Sequence, residues 1–462
     1  MTIAIGLMIR KTVTIGLAVT VSLALAAPAF AQSKGLNFVR DAEAEALVQD
    51  YTRPLFKAAG IRSDSVELFL VDDPAFNAFV ASGQKMVINS GAIIDSKTPN
   101  ELIGVLAHET GHLALDHQSK LGDQMNRART VAALGALAGI GAAIAGSQAG
   151  SPDAARAGGG IAAGASDMAM RSLLADRRSD EMAADQAALN YLKATHQSAK
   201  GMLTTFRRFA DDTLFTARAG DRYLQSHPLP KERIDLIERA AKASPYYNAK
   251  DPAALQARHD MVRAKLIGFT GSSDLVMRRY PPSDTSFPAQ YARAIAAYRN
   301  GNSQQGLALL DGLLKAQPKN PYFWELQGQI LLENGRAGQA VPAYRKAVAL
   351  APRSGLLKIM LGQALVETGD PKQIEEAVKN LTVGLQADPD MPLGYRSLAR
   401  AHAARGDIPM AELATAQGEF AMGNYAAAKM HAARASKGLK QGSPAWLRAD
   451  DIISYTPPAK SG

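Results

Sequence analysis

The residues from Gly104 to His117 read GVLAHETGHLALDH. On a helix, His108 and His112 stand one turn apart on the same face. Their rings can converge on one ion while Glu109 points beside it. That arrangement suits metal-assisted hydrolysis of a peptide bond, with two imidazole ligands and a carboxylate placed to move a proton. The same spacing also fits two surface histidines paired with carboxylates along a helix. Context favours the metal. The preceding LIGVLA is apolar, so the helix is largely buried, and buried imidazoles need partners. Gly111 leaves room for another segment to approach closely. The chain has no cysteine, so histidine and carboxylate must hold any metal.

A third ligand must come from elsewhere. A metzincin-type extension needs glycine at 115 and histidine at 118, and the sequence has Leu115 and Gln118. His117 is one residue off and falls on a different helical face. It reads as a surface histidine or as one that touches a ligand from behind. The third ligand is therefore expected to be a carboxylate on a second helix, in RRSDEMAADQAALNYLKA from Arg177. Glu181 and Asp185 are one turn apart there, and Ala183 and Ala184 allow tight packing. Glu181 can ligate the metal while Asp185 orients a ligand histidine through its free ring nitrogen. The alternative is an exposed acidic face, given the charges in DRRSDE.

The surrounding text supplies the elements that position these residues. DAEAEALVQDYTRPLFKAAG predicts a helix that ends at Gly60. VELFLVDD and KMVINSGAII predict strands flanking Pro74 and Gly83. A helix starting near Pro99 and Asn100 carries the histidines. Val131 to Gly146 holds no charge, and the small-residue stretch AGGGIAAGA follows at 157–165. The run is short for a membrane span. Gly135 and Gly139 give the G-x-x-x-G spacing of close helix contact. This part is either a helical hairpin packed within the fold or a segment that meets a membrane or a partner. Residues 244–284 read as a helical connector.

From about Phe287 the text repeats. Pro318, Pro352 and Pro389 fall 34 and then 37 residues apart. Trp324, Gly328, Ala340, Tyr344 and Ala347 occupy the places that a tetratricopeptide repeat fills with large and small residues. Gly362, Ala377 and Leu381 mark the next unit, Tyr395, Ala399 and Ala411 another, and Ala294 and Leu310 a degenerate earlier one. The expected fold class is α+β and mainly helical. A domain with a small sheet spans 32–243, an all-α solenoid spans 285–440, and 441–462 caps it.

The chain has 462 residues, 47% hydrophobic and 21% charged, which is ordinary globular composition for two or more domains. Its net charge of +9 is scattered, with no basic run interleaved with aromatics, so nucleic acid is not an expected partner. Residues 1–31 read as a signal peptide, with Met8 a plausible alternative start. Arg10 and Lys11 precede an apolar run, and Ala29-Phe30-Ala31 offers cleavage after Ala31. An uncleaved anchor is the alternative. Cleavage would put the mature chain outside the cytoplasm, with the bacterial periplasm the best fit.

With both motifs in view, H-E-x-x-H followed by Arg177, Arg178, Ser179, Asp180, Glu181, Met182, Ala183, Ala184 and Asp185 resembles the gluzincin zinc metallopeptidases of the HtpX and BepA kind (peptidase M48 type). The leader and the trailing repeats make the chain most similar to their periplasmic members. The resemblance implies a zincin-type domain and one Zn²⁺ per chain on His108, His112 and Glu181, with Glu109 as general base. It implies that NAFVASGQKMVINSGAI from Asn77 borders the cleft, with Gly83 turning a hairpin. Met86, Val87, Ile88 and Asn89 would then pair with an extended substrate or form a plain sheet edge.

In SHPLPKERI from Ser226, the resemblance sets His227 over the zinc and Arg233 beside it. Either can supply positive charge during catalysis, and His227 can act as a fourth ligand that keeps the enzyme latent. Arg233 fits equally a salt bridge on a helix. The implied targets are unfolded or misassembled outer-membrane β-barrel proteins, with the β-barrel assembly machinery met through the repeats. Two departures stand out. Arg177 occupies a place where serine is common, and 131–165 is Ala- and Gly-rich where HtpX-like members carry membrane spans. The rival reading is a non-catalytic periplasmic chaperone or scaffold whose zinc is structural or absent. The retained Glu109 argues against it.

Overall fold

The computed structural model describes residues 37–148, 152–216, 223 and 226–457. The leader read at 1–31 lies outside them. The expected class is the observed one: a small mixed sheet among helices, followed by a run of helix pairs. Helix α1 (Ala42–Ala58) starts where Asp41 accepts a hydrogen bond from the Ala44 amide, with Glu43 and Glu45 in the first turn. It buries Leu47, Val48, Tyr51, Leu55 and Phe56 and stops before Gly60, whose φ of 72° ends the helix.

The sheet holds β1 (Phe38–Val39), β2 (Glu67–Val71), β3 (Ala78–Ala81) and β4 (Lys85–Asn89) in the order β1-β2-β4-β3. Gly83, with a φ of 82°, turns the β3–β4 hairpin as expected. Strand β4 pairs parallel with β2 and antiparallel with β3, setting Met86 opposite both Leu68 and Val80. This corrects the reading of Met86, Val87, Ile88 and Asn89 as a substrate strand. Both sides of β4 are already paired, and the exposed edge belongs to β3. The strand expected to run through Ile94 also stops at Asn89, and Ser90–Asp95 is a short helix, α2. Gly91 packs so closely on the Pro74 loop that a Cβ there would lie 2.3 Å from the Pro74 carbonyl oxygen.

Helix α3 (Pro99–Ala114) carries the histidine motif. Thr98 caps it, and Glu101 reaches back to accept from the Lys97 amide at 2.9 Å. Gly111 meets helix α5, where an added Cβ would stand 2.8 Å from the Ala184 carbonyl oxygen. After Leu115 the chain breaks at Asp116 (φ 52°) and enters a long hairpin, α4 (His117–Gln148) and α5 (Pro152–Ala194). Its base packs on α3. Farther out, Leu134, Leu137, Ile140, Ile144 and Ile161 are exposed. The hairpin therefore forms, but its apolar half is not buried within the fold. Gly135 lies against Ala165, where an added Cβ would come 2.0 Å from the Ala165 methyl.

Helix α6 (Lys200–Thr216) closes the other side of α3, and α7 (Lys231–Ala243) follows the loop that bears His227. The segment read as a connector holds α8 (Ala253–Thr270), which is largely buried. Its His259 sits between the Tyr51 hydroxyl at 2.9 Å and the Ser96 carbonyl oxygen at 2.8 Å. Its Lys265 meets Asp41 at 2.7 Å and Glu325 at 3.1 Å, tying α1 to the solenoid. Burial pushes the Glu43 and Glu325 carboxyls up to about 7, and the nearby Lys265 ammonium opposes that rise.

Helix pairs then stack from Phe287 to Ser454. Gly328 makes room for the Tyr344 ring and Gly362 for Leu381, the small-against-large pattern of the repeats. A cavity of about 1250 Å³ remains between α1, α8 and the solenoid, lined in part by Arg53, Arg258, Tyr280, Tyr322 and Arg353.

Candidate metal centre

His108 and His112 leave one face of α3 together, with Nε2 atoms 3.1 Å apart. Glu181 comes from the base of α5, held there by the close contact of Ala184 with Gly111. Its two carboxylate oxygens lie 3.4 Å from His108 Nε2 and from His112 Nε2. His227 arrives from the loop before α7. Its Nδ1 stands 3.0 Å from Glu181 Oε1 and 3.4 Å from His108 Nε2. All four side chains are buried. Ligand atoms on a tetrahedral zinc at about 2.1 Å would stand roughly 3.4 Å from one another. The spacings of 3.0 to 3.4 Å found here fit such an ion.

Charge is arranged to match. Burial would push the Glu181 carboxyl up, but hydrogen bonds to His108, His112 and His227 outweigh it and hold it far below the usual carboxylate range. Burial lowers His108, yet Asp185 and Glu181 raise it to about 10. The field that draws a proton there draws a cation equally well. Arg233 holds both carboxylates: Nε and Nη2 donate to Asp185 at 2.7 and 2.9 Å, and Nη1 donates to Glu181 at 2.8 Å. Asp185 in turn stands 3.0 Å from His108 Nδ1.

Glu109 points into the same space. It is fully buried, and neither carboxylate oxygen makes a hydrogen bond of normal geometry. Oε1 faces His227 Nε2 at 3.5 Å. Burial pushes its carboxyl up to about 7 against the pull of His108 and His112. An orphaned buried carboxylate beside a cluster of ligands is placed for proton transfer.

Residues 42–241 match peptidase family M48, and residues 282–417 match the cytochrome c-type biogenesis protein H TPR domain. Residues 42–241 are an M48 metallopeptidase domain. The beta-barrel assembly-enhancing protease of Escherichia coli (strain K12) is 25% identical over 398 residues, covering 83% of this chain and 77% of that protein. The beta-barrel assembly-enhancing protease of Yersinia pestis is 25% identical over 347 residues, covering 73% and 68%.

Within the M48 domain, His108, Glu109, His112, Glu181, Asp185, His227 and Arg233 all meet at one place. Arg233 touches carboxylates and the Pro228 carbonyl oxygen with its guanidinium nitrogens, which makes it a brace. The unusual Arg177 donates to the Ser226 carbonyl oxygen at 2.9 Å, so two arginines clamp the loop that carries His227. Sequence reasoning missed the β3 edge. Of its two readings of His117, surface or behind a ligand, the structure has the second, because the chain reverses after α3 ends.

Proposed function

We propose that this chain is a zinc-dependent endopeptidase of the bacterial periplasm. Its substrates are unfolded or misassembled outer-membrane β-barrel proteins, which it handles in quality control or assembly. The observation that carries this reading is the convergence of His108, His112 and Glu181 beside the orphaned Glu109 carboxylate. The names of the relatives support the substrate class. The repeats offer a surface for substrate or for the barrel-assembly machinery, and the cavity between α1 and the solenoid is roomy enough for a peptide segment.

His108, His112 and Glu181 would hold the zinc. Bound zinc supplies Lewis acidity, which polarises a carbonyl and acidifies water towards a pKa of about 7. Glu109 takes the proton of the attacking water on a carboxylate oxygen and returns it to the leaving amine. The outer edge of β3, next to Glu109 through the Val80 backbone, can align an extended substrate. Arg233 keeps Glu181 and Asp185 in place throughout. His227 would serve as a fourth ligand and would have to swing away for a peptide to reach the centre.

This predicts that His227→Ala will cleave an unfolded barrel protein faster than the unaltered chain, with zinc content unchanged. A fall of about 100-fold would make His227 a catalytic residue instead. One observation favours the rival scaffold reading: with His227 in place, four protein side chains complete the ligand set. No turnover in either chain, with zinc bound, would select that reading.

The hairpin adds a membrane contact. Helix α4 is long and apolar enough to cross a membrane, and only 6% of its apolar window is buried. Leu134, Leu137, Ile140 and Ile144 recur at three- and four-residue spacing, so they form one exposed apolar face of the helix. Arg127 and Arg129 are exposed just before the apolar run. The Gly135–Ala165 contact sets Arg171, which pairs with Asp167, level with Arg129, so Arg127 and Arg129 are the cations left for anionic headgroups. The chain is expected to float with vesicles of phosphatidylethanolamine and phosphatidylglycerol. Leu134→Asp with Leu137→Asp should abolish flotation and leave cleavage of a soluble peptide intact. Equal flotation of both chains would remove the hairpin from the account, and capture of a protein in place of lipid would redirect it.

A further inference from the structure

His117 opens α4, yet its ring turns back under the metal cluster. The reversal at Asp116 brings the His117 ring centroid to 4.9 Å from that of His112, with the rings 75° apart. The two Nδ1 atoms stand 2.9 Å apart, and both rings are buried. On its other side, His117 Nε2 lies 3.5 Å from Asp180 Oδ1, and Gln124 Nε2 donates to Asp180 Oδ2 at 3.2 Å.

With a metal on His112 Nε2, these contacts have one consistent proton arrangement. A neutral His112 that offers its Nε2 lone pair to a metal carries its hydrogen on Nδ1. That hydrogen can be donated only if His117 Nδ1 is an acceptor. His117 must then carry its own hydrogen on Nε2, which faces Asp180. His108, by contrast, faces the Asp185 carboxylate directly.

We propose that His117 is a positioning residue for the metal centre. It fixes the tautomer and ring orientation of His112, and Asp180 orients it across the base of the α4–α5 hairpin. The inference rests on the reading of the cluster as a metal centre and goes further by naming how one ligand is held. Outer partners of metal-bound histidines typically contribute about 10- to 100-fold in metal affinity.

The test is zinc affinity of the full chain by chelator competition, with the Co²⁺ absorption spectrum as a second readout. His117→Ala should bind zinc about 10- to 100-fold more weakly and shift the Co²⁺ bands. His117→Asn places an amide oxygen near the lost Nδ1 and should restore most of the affinity and the original bands. A packing role alone would not distinguish asparagine from leucine. If the alanine variant does not fold, His117→Leu against His117→Asn makes the same comparison. Zinc bound equally well by the unaltered chain and by the alanine or leucine variant would overturn the proposal and leave the metal centre standing. No zinc binding by the unaltered chain would overturn the metal centre itself.

Discussion

Glu109→Gln should lower cleavage of an unfolded outer-membrane barrel protein by about 10²- to 10⁴-fold, the usual contribution of a general base. Zinc content should stay at the level of the unaltered chain, because Glu109 is outside the ligand cluster of His108, His112, Glu181 and His227. Glutamine keeps the shape and cannot take the proton. Stability should not suffer. The native carboxylate is buried with only a loose backbone contact at Val80, so a neutral amide in its place removes a desolvation cost. Cleavage and zinc content measured on one purified sample check the result. Undiminished cleavage would assign the base to another group.

Arg233→Met should act in the opposite way, through stability. Three guanidinium hydrogen bonds hold Asp185 and Glu181, and all three residues are buried. Methionine fills much of the volume but leaves both carboxylates without their guanidinium partner, with only the histidines beside them. Breaking a buried pair in this way typically costs about 3–5 kcal/mol. Urea unfolding of the zinc-free chain should show that loss. The zinc-loaded chain should lose less, because a cation between His108 and Glu181 replaces part of the missing charge. A loss below about 1 kcal/mol without zinc would mean that the carboxylates find solvent or protons at little cost.

Much of this centre is legible in the sequence, for a local reason. Four-residue spacing on a helix fixes which side chains share a face, so the spacing alone pairs His108 with His112 and Glu181 with Asp185. The repeat helices are legible because small and large residues recur at fixed places. What stays hidden depends on contacts far apart in the chain. The short apolar run in KMVIN says that it is a strand, but not that β2 and β3 take both its sides. Which ligand His117 backs is hidden because Asp116, which is not a glycine, adopts a positive φ and turns the chain there. The buried role of Lys265 is invisible because its partners Asp41 and Glu325 lie hundreds of residues apart.

The central claim is that a carboxylate oxygen of Glu181 shares one zinc ion with His108 and His112. Diffraction from crystals of the full chain, recorded on both sides of the zinc absorption edge, tests it most directly. The account predicts a single anomalous peak about 2.0–2.2 Å from Glu181 and from both Nε2 atoms. A peak elsewhere would contradict it, as would Glu181 bound only to Arg233 with no ion beside it.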